Sequence, residues 1–354
     1  MARQIPVEVA APVTVAGFTT EHRYLPEGIQ MVTLWGKRYI GGVLIQYGAN
    51  STNGGLFFFD PSNGQVNIVD LESRPGTFRP VEGQEGKFLV IMGNQVGVVT
   101  LNPDWTSSFA SILEVPRNFA DGQVITANDG CVINPRDPAA PSRIIAGFKD
   151  TKFRTDRGHG CLLEIVGTKL NGITANAICP NGNAFIASGK KKAKLLHIET
   201  GRQTVQVMDY DPDRGVAGHL IDCFSFKTEL FTGEHYHDSM YPDGMVNWTT
   251  PAGRQKAIIA IFDPRESSKE GLAFQFDLTG PIFAECVYIL PGSPRVTCPA
   301  LVEIDGRVEV WFSTASEGLL DKLGIDDLRI GSLFRAPGTQ TSLTSAPKLD
   351  HYRL

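Results

Sequence analysis

Several things this chain lacks narrow what it can be. No apolar run approaches the ~20 residues that a membrane-spanning helix needs, so no helical anchor is expected. The first six residues, Met1-Ala2-Arg3-Gln4-Ile5-Pro6, contain no apolar core of the kind a secretory leader carries. The six cysteines (Cys131, Cys161, Cys179, Cys223, Cys286 and Cys298) show no CxxC pair or metal-type spacing. They are expected as buried thiols of a reducing compartment rather than a disulfide framework. A cytoplasmic location follows as the expectation, with secretion left open by two sequons, Asn50-Ser51-Thr52 and Asn247-Trp248-Thr249. A dominant basic face is also missing. The net charge is −5, and Lys190-Lys191-Lys192, the basic run, is expected as a solvated hairpin tip, so no nucleic-acid or membrane partner is expected. A small-molecule substrate and a monomer or weak homo-oligomer are the expectations that remain.

Long stretches of 3.6-residue periodicity are scarce as well. The one helix expected is short, around Ser316 to Lys322. In their place stand 37 glycines, 22 prolines and many short apolar runs bounded by turn residues. Examples are Gly55-Leu56-Phe57-Phe58-Phe59, Lys87-Phe88-Leu89-Val90-Ile91-Met92 and Ala257-Ile258-Ile259-Ala260-Ile261-Phe262. Such runs predict an all-β protein. A repeated grammar overlies them: a strand ends in an acidic residue, then a Pro/Gly turn, then the next strand. Phe59-Asp60-Pro61-Ser62-Asn63-Gly64, Asp209-Tyr210-Asp211-Pro212 and Phe276-Asp277-Leu278-Thr279-Gly280 show it. The recurrence, roughly every 40 to 70 residues, fits four-stranded propeller blades. Five or six blades would use residues 1–354 as one domain, with 1–20 as a lead-in and 337–354 as a closing segment.

One stretch concentrates chemistry. Tyr241-Pro242-Asp243-Gly244-Met245 reads as a sharp turn between strands, preceded by the polar run Glu234-His235-Tyr236-His237-Asp238. By itself Asp243 is expected for turn geometry ahead of function. His235 and His237, two apart, would share one side of an extended segment, either lining a site or lying on a surface loop.

The order of short motifs resembles the regucalcin/gluconolactonase (senescence marker protein-30-like) family of six-bladed β-propellers. Leu25-Pro26-Glu27-Gly28 resembles its opening segment, and Asn128-Asp129-Gly130-Cys131-Val132 its Asn-Asp-Gly motif. Leu170-Asn171-Gly172-Ile173 resembles its Asn-Gly turn, Tyr241-Pro242-Asp243-Gly244 its Pro-Asp-Gly turn, and Gly331-Ser332-Leu333-Phe334 its closing run. The resemblance implies a divalent cation held by Glu27, Asn171 and Asp243, with Asn128 beside it on water or substrate. Asp243 would double as base. Asn176 rivals Asn171 as the ligand. Two carboxylates and amide oxygens form a hard donor set, suited to Ca²⁺ first, with Mg²⁺, Mn²⁺ and Zn²⁺ as alternatives.

Two departures bear on the substrate. Thr126 stands where the family often carries an arginine that holds sugar acids, which suggests a relatively apolar substrate. Arg295, with Thr297, opens the last-blade motif, as pocket rim or hairpin support. Substrate contacts are therefore expected from Asn128, Thr126, His235, His237 and Arg295. The leading expectation is a metal-dependent lactonase or esterase. The alternative is a non-hydrolytic cyclase of natural-product (secondary) metabolism, of hetero-Diels–Alder type, with a largely apolar pocket.

Overall fold

In the computed structural model the described residues are 5–16, 24–47, 54–116, 125–150, 160–188, 192–226, 237–265, 267–279, 282–316, 332–348 and 350–353. Two short strands come first, β1 (Val7–Val9) and β2 (Ala11–Val13). Six antiparallel sheets of four strands follow. Blade 1 is β3 (Tyr24–Leu34), β4 (Lys37–Tyr47), β5 (Gly54–Phe59) and β6 (Val66–Leu71). Blade 2 is β7 (Pro75–Pro80), β8 (Lys87–Met92), β9 (Gln95–Leu101) and β10 (Ser107–Glu114). Blade 3 is β11 (Ile125–Ile133), β12 (Arg143–Asp150), β13 (Gly160–Val166) and β14 (Lys169–Ala177). Blade 4 is β15 (Pro180–Ser188), β16 (Lys192–Glu199), β17 (Thr204–Asp211) and β18 (Gly215–Ser225). Blade 5 is β19 (Tyr241–Thr249), β20 (Gln255–Phe262), β21 (Glu270–Asp277) and β22 (Phe283–Pro291). Blade 6 is β23 (Val296–Ile304), β24 (Arg307–Thr314) and β25 (Leu333–Pro337), completed by β2. The protein is a six-bladed β-propeller.

The N-terminal residues are thus more than a lead-in. β2 pairs antiparallel with β25 and closes blade 6, while β1 pairs parallel with β22 as a fifth strand of blade 5. Among the described residues the helical turns are two short 3₁₀ segments, Thr200–Arg202 and Gly338–Thr341. All of the helix expected at Ser316–Lys322 except Ser316 itself lies outside the described residues.

The apolar runs now have a cause. The buried hydrophobic residues form six clusters, one at each interface between adjacent blades. A blade strand therefore buries both of its faces, and reads as a continuous apolar run instead of an alternating one. Phe58 packs toward blade 2 with Phe78 and Phe88, whereas Phe57 and Phe59 pack toward blade 6 with Trp311 and Val302. In β20, Ile258 and Ala260 serve the interface with blade 6, and Ile259 and Ile261 that with blade 4. Each such large side chain contributes roughly 1.5–3 kcal/mol. Trp248 and Trp311 are core residues, 3% and 1% exposed.

The strand–acid–turn grammar is a series of Asx turns, in which an aspartate oxygen accepts the N–H two residues on. Asp60 accepts from Ser62 at 2.9 Å, Asp211 from Asp213 at 2.9 Å, Asp263 from Arg265 at 3.0 Å and Asp277 from Thr279 at 2.8 Å.

The C-terminal segment crosses the lower face. Ala346 N–H donates to Glu303, Tyr352 pairs with Val81, and the Arg353 guanidinium donates to the Pro135 carbonyl. Pro347 lines the lower channel.

Candidate functional site

The innermost strands β3, β7, β11, β15, β19 and β23 form a ring around the channel, each beside the next. Each of them breaks register near its start, with a bulge over Glu27–Gln30, Pro75–Thr77, Ala127–Gly130, Asn181–Ala184, Pro242–Met245 and Val296–Cys298. Bulges re-aim side chains, and six at one level turn residues from six blades toward a single mouth. Pro26, Pro75, Pro180 and Pro242 are tolerated there because the channel-side edge of an innermost strand has no ladder partner. Pro242-Asp243-Gly244 is therefore a bulge inside β19, and the turn read from the sequence is corrected.

The bulges interlock. Asn181 Nδ2 donates to Asp243 Oδ1 at 2.5 Å and to Thr200 Oγ1 at 3.0 Å, and Thr200 Oγ1 donates to the Pro242 carbonyl at 2.8 Å. Asn128 Nδ2 donates to Asn181 Oδ1 at 2.7 Å and to the Pro180 carbonyl at 2.8 Å. Asp129 accepts from Gly130 N–H at 2.6 Å and from Gly182 N–H at 2.8 Å, bracing β11 against β15. Thr297 Oγ1 donates to the Pro26 carbonyl at 2.6 Å, tying blade 6 to the residue before Glu27. Packing is tight enough to require glycine at two points. A Cβ on Gly76 would meet the Asn128 carbonyl at 2.1 Å, and one on Gly244 the Thr297 carbonyl at 2.5 Å.

Glu27 completes the group from β3. Burial, then the nearby Asp243 carboxylate, pushes its carboxyl well above the usual range. Asp129 adds to that rise, and Lys149 and Arg74 oppose it. The mouth thus gathers Glu27, Asn128, Asn181 and Asp243, with Asp129, Lys149 and Arg74 within electrostatic reach. Below it the channel narrows to a cavity of about 60 Å³ lined by residues including Arg79, Asp129, Asn183 and Cys298. At about 30 Å³ per water, that space suits a few solvent molecules, so an organic substrate belongs at the mouth.

Several expectations change. Asn171 lies on β14, the outermost strand of blade 3, where its Nδ2 donates to Glu164 at 3.2 Å. Asn176 lies on the same outer strand. Asn171 does not reach the mouth, and Asn181 occupies the place expected for it. The sequence carried a signal for it: Pro26-Glu27-Gly28, Pro180-Asn181-Gly182 and Pro242-Asp243-Gly244 share one Pro-x-Gly form. Asn128 is 2% exposed with its Nδ2 engaged, so it positions Asn181 instead of touching substrate. Arg295 is 8% exposed; its guanidinium lies 5.3 Å from the Phe262 ring centroid and reaches the Pro264 carbonyl at 3.5 Å, which is hairpin support. His237 is exposed, and its Nδ1 accepts from Ser239 N–H at 3.1 Å within a local turn. His235 lies outside the described residues. Thr126 is half-buried and sits across the β11–β12 ladder from Lys149. Lys149, Arg74 and Asp129 were not foreseen as site residues.

A family model described as SMP-30/Gluconolactonase/LRE-like region matches residues 50–307, which include Asn128, Asn181 and Asp243. The chain belongs to this family. Among solved structures it is similar to a luciferin-regenerating enzyme, with 17% identity, a TM-score of 0.70, and coverage of 98% of this chain and 100% of that one. It is also similar to the calcium-binding protein regucalcin of Agrobacterium tumefaciens, at 15% identity and a TM-score of 0.69, covering 99% and 100%. At these identities the likeness speaks to fold. No curated protein matches the chain in sequence.

The donor chemistry fits a hard divalent cation. Glu27 and Asp243 crowd two carboxylates together, a repulsion that a cation between them would relieve. Among the described residues no three His, Cys, Asp or Glu side chains cluster; the neutral donor is the Asn181 amide. Its Nδ2 faces Asp243 and its Oδ1 accepts from Asn128, so ligation through Oδ1 requires the Asn181 amide to turn over and the Asn128 amide to rearrange with it. Cys179 and Cys298 stand nearby, but burial pushes both thiols up, that of Cys179 to about 12, so neither offers a thiolate.

Proposed function

We propose that the channel mouth is the active site of a divalent-metal-dependent hydrolase that opens a cyclic ester of small to medium size. The observation that carries this reading is the Glu27–Asp243 carboxylate pair, brought together from blades 1 and 5 and joined to the Asn181 amide. Glu27, Asn181 and Asp243 would hold the cation, Ca²⁺ foremost, in line with the calcium-binding description of the similar regucalcin. A cation bound there would polarise the ester carbonyl and acidify water.

The chain's own groups do the remainder. Asp243 accepts the proton of the attacking water at its carboxylate and returns it to the alkoxide released when the ring C–O bond breaks, giving a hydroxy acid. Asn128 fixes Asn181, and Asp129 fixes the two bulges against each other, so the carboxylates are held before substrate arrives. The expected cyclase alternative requires a largely apolar pocket, and a mouth ringed by Glu27, Asp243, Asp129, Lys149 and Arg74 does not favour it.

Elemental analysis of the purified protein should find one divalent ion per chain, and chelation should abolish hydrolysis of γ- and δ-lactones until Ca²⁺ is restored. Hydrolysis that persists in metal-free protein would overturn the proposal.

A further inference from the structure

Two cations flank the mouth with no counter-charge paired to them among the described residues once a cation is bound. Lys149 is the penultimate residue of the second strand of blade 3, directly across from Thr126, which is two residues before Asn128. Its charge is felt at Glu27 on blade 1 and at Cys179, two residues before Asn181 on blade 4. That puts its ammonium within electrostatic reach of both walls. Arg74 immediately precedes the bulge of β7; its carbonyl accepts from Gly93 N–H at 2.8 Å, and the Gly93 carbonyl from Ala127 N–H at 2.6 Å. It therefore sits against the strand that carries Asn128. Both are half-buried, and neither side chain makes a hydrogen bond or ion pair among the described residues.

Charge accounting makes this informative. A divalent ion would balance Glu27 and Asp243. Asp129 accepts from Gly130 and Gly182 N–H and lies within electrostatic reach of Arg79, which offsets part of the cost of its burial. Arg74 and Lys149 then remain as excess positive charge in a partly desolvated rim, where an unpaired cation is costly unless a ligand completes it. A guanidinium and an ammonium together suit a planar oxyanion.

Resting on the hydrolase reading above, we propose that Arg74 and Lys149 form an anion-binding rim, so that the substrate is a cyclic ester bearing a carboxylate. This replaces the apolar substrate expected from Thr126.

The test uses full-length, calcium-loaded protein and two non-hydrolysed lactam probes, pyroglutamate and its uncharged amide, measured by calorimetry. Pyroglutamate should bind about tenfold or more tightly than the amide, and the preference should weaken with added salt. Lys149→Met and Arg74→Gln should each remove most of it, and Lys149→Arg should keep most of it. For the matching γ-lactones, Lys149→Met should raise KM for the acid about tenfold and for the amide much less. Equal binding of the two probes by the wild type, or a preference that survives in the Lys149→Met/Arg74→Gln double variant, overturns the proposal. If neither lactone is hydrolysed but the binding preference stands, the hydrolase reading fails and the anion rim remains. Hydrolysis of both lactones without any preference does the reverse.

Discussion

The aspartates at the hairpin tips and the carboxylates at the channel mouth are built from similar words, an acid beside Pro and Gly, and they do opposite electrostatic work. At the tips the acid serves its own loop. Burial works to raise the Asp60 and Asp263 carboxyls, yet Ser62 and Arg265 respectively hold both below the ordinary range. At the mouth the acid is turned away from its own loop by a bulge and meets other blades. Burial and a second carboxylate there drive Glu27 upward, and burial drives Asp129 upward. A tip spends its charge on local geometry, whereas the mouth stores unfavourable charge that a ligand can relieve. What separates the two is the neighbouring strand, which no single motif contains.

The sharpest way to break this comparison is to neutralise one acid of each kind. Asp243→Asn should lose at least ~10³-fold in kcat for lactone hydrolysis, while its metal-free form should melt no lower than the wild type, because a repulsion with Glu27 is gone. A metal-free variant that melts well below the wild type would mean that Asp243 is structural, like the tip aspartates.

Next in size is the choice of amide. Asn181→Ala should cost ~10²-fold or more in activity and weaken cation binding, whereas Asn171→Ala should stay within about twofold, since Asn171 serves Glu164 on an outer strand. Paired kinetics on the two variants decide between them.

The amide also shows what the sequence could convey. The fold was legible because turn chemistry and apolar runs are local. The innermost strands begin at Tyr24, Pro75, Ile125, Pro180, Tyr241 and Val296, within the expected repeat. That Glu27, Asn128 and Asp243 meet at one end of the channel was legible through motif order. Asn171 was misread because Asn-Gly is equally at home on an outer strand, and position within a blade cannot be read from a dipeptide. Repetition of Pro-x-Gly was the better guide, since proline marks the channel-side edge and glycine the bulge. Lys149 and Arg74 were not legible at all: one reaches the mouth through a ladder partner, the other by preceding a bulge.

Steric support of the mouth should come third. Gly76→Ala would drive a methyl group into the Asn128 carbonyl, so β7 or β11 must shift. The expected cost is about 1–3 kcal/mol in stability, with activity falling roughly tenfold as Asn128 and then Asn181 are displaced. Thermal melts and kinetics on one preparation should show both effects. Gly64→Ala at a hairpin tip, where φ is +75°, should cost stability without changing kcat.

Proton linkage gives a fourth contrast. Because the Glu27 carboxyl is raised, the metal-free fold holds its proton better than the unfolded chain does. Stability should therefore fall as pH rises above the ordinary value of 4.5. Cation binding should expel that proton, so affinity climbs over the same window. Calorimetry in two buffers of different ionisation enthalpy should detect proton release on Ca²⁺ binding, and no release would place Glu27 outside the cation site.

The smallest effect belongs to a tip. Asp60 is lowered, so its sign is reversed: the stability it supplies is present above its ordinary value of 3.8 and is lost as pH falls through the lower folded-state value. Asp60→Asn keeps an oxygen to accept Ser62 N–H but loses the charge facing Lys37 at 3.5 Å, an ion pair whose lysine is 64% exposed. Solvent screening limits that pair to a few tenths of a kcal/mol, so the variant should lose about 0.5–1 kcal/mol in all at neutral pH and nothing measurable in kcat. A loss of activity in Asp60→Asn, in a protein that still melts cooperatively, would show that the tips and the mouth are coupled. The division of labour between the two kinds of acid would then not hold.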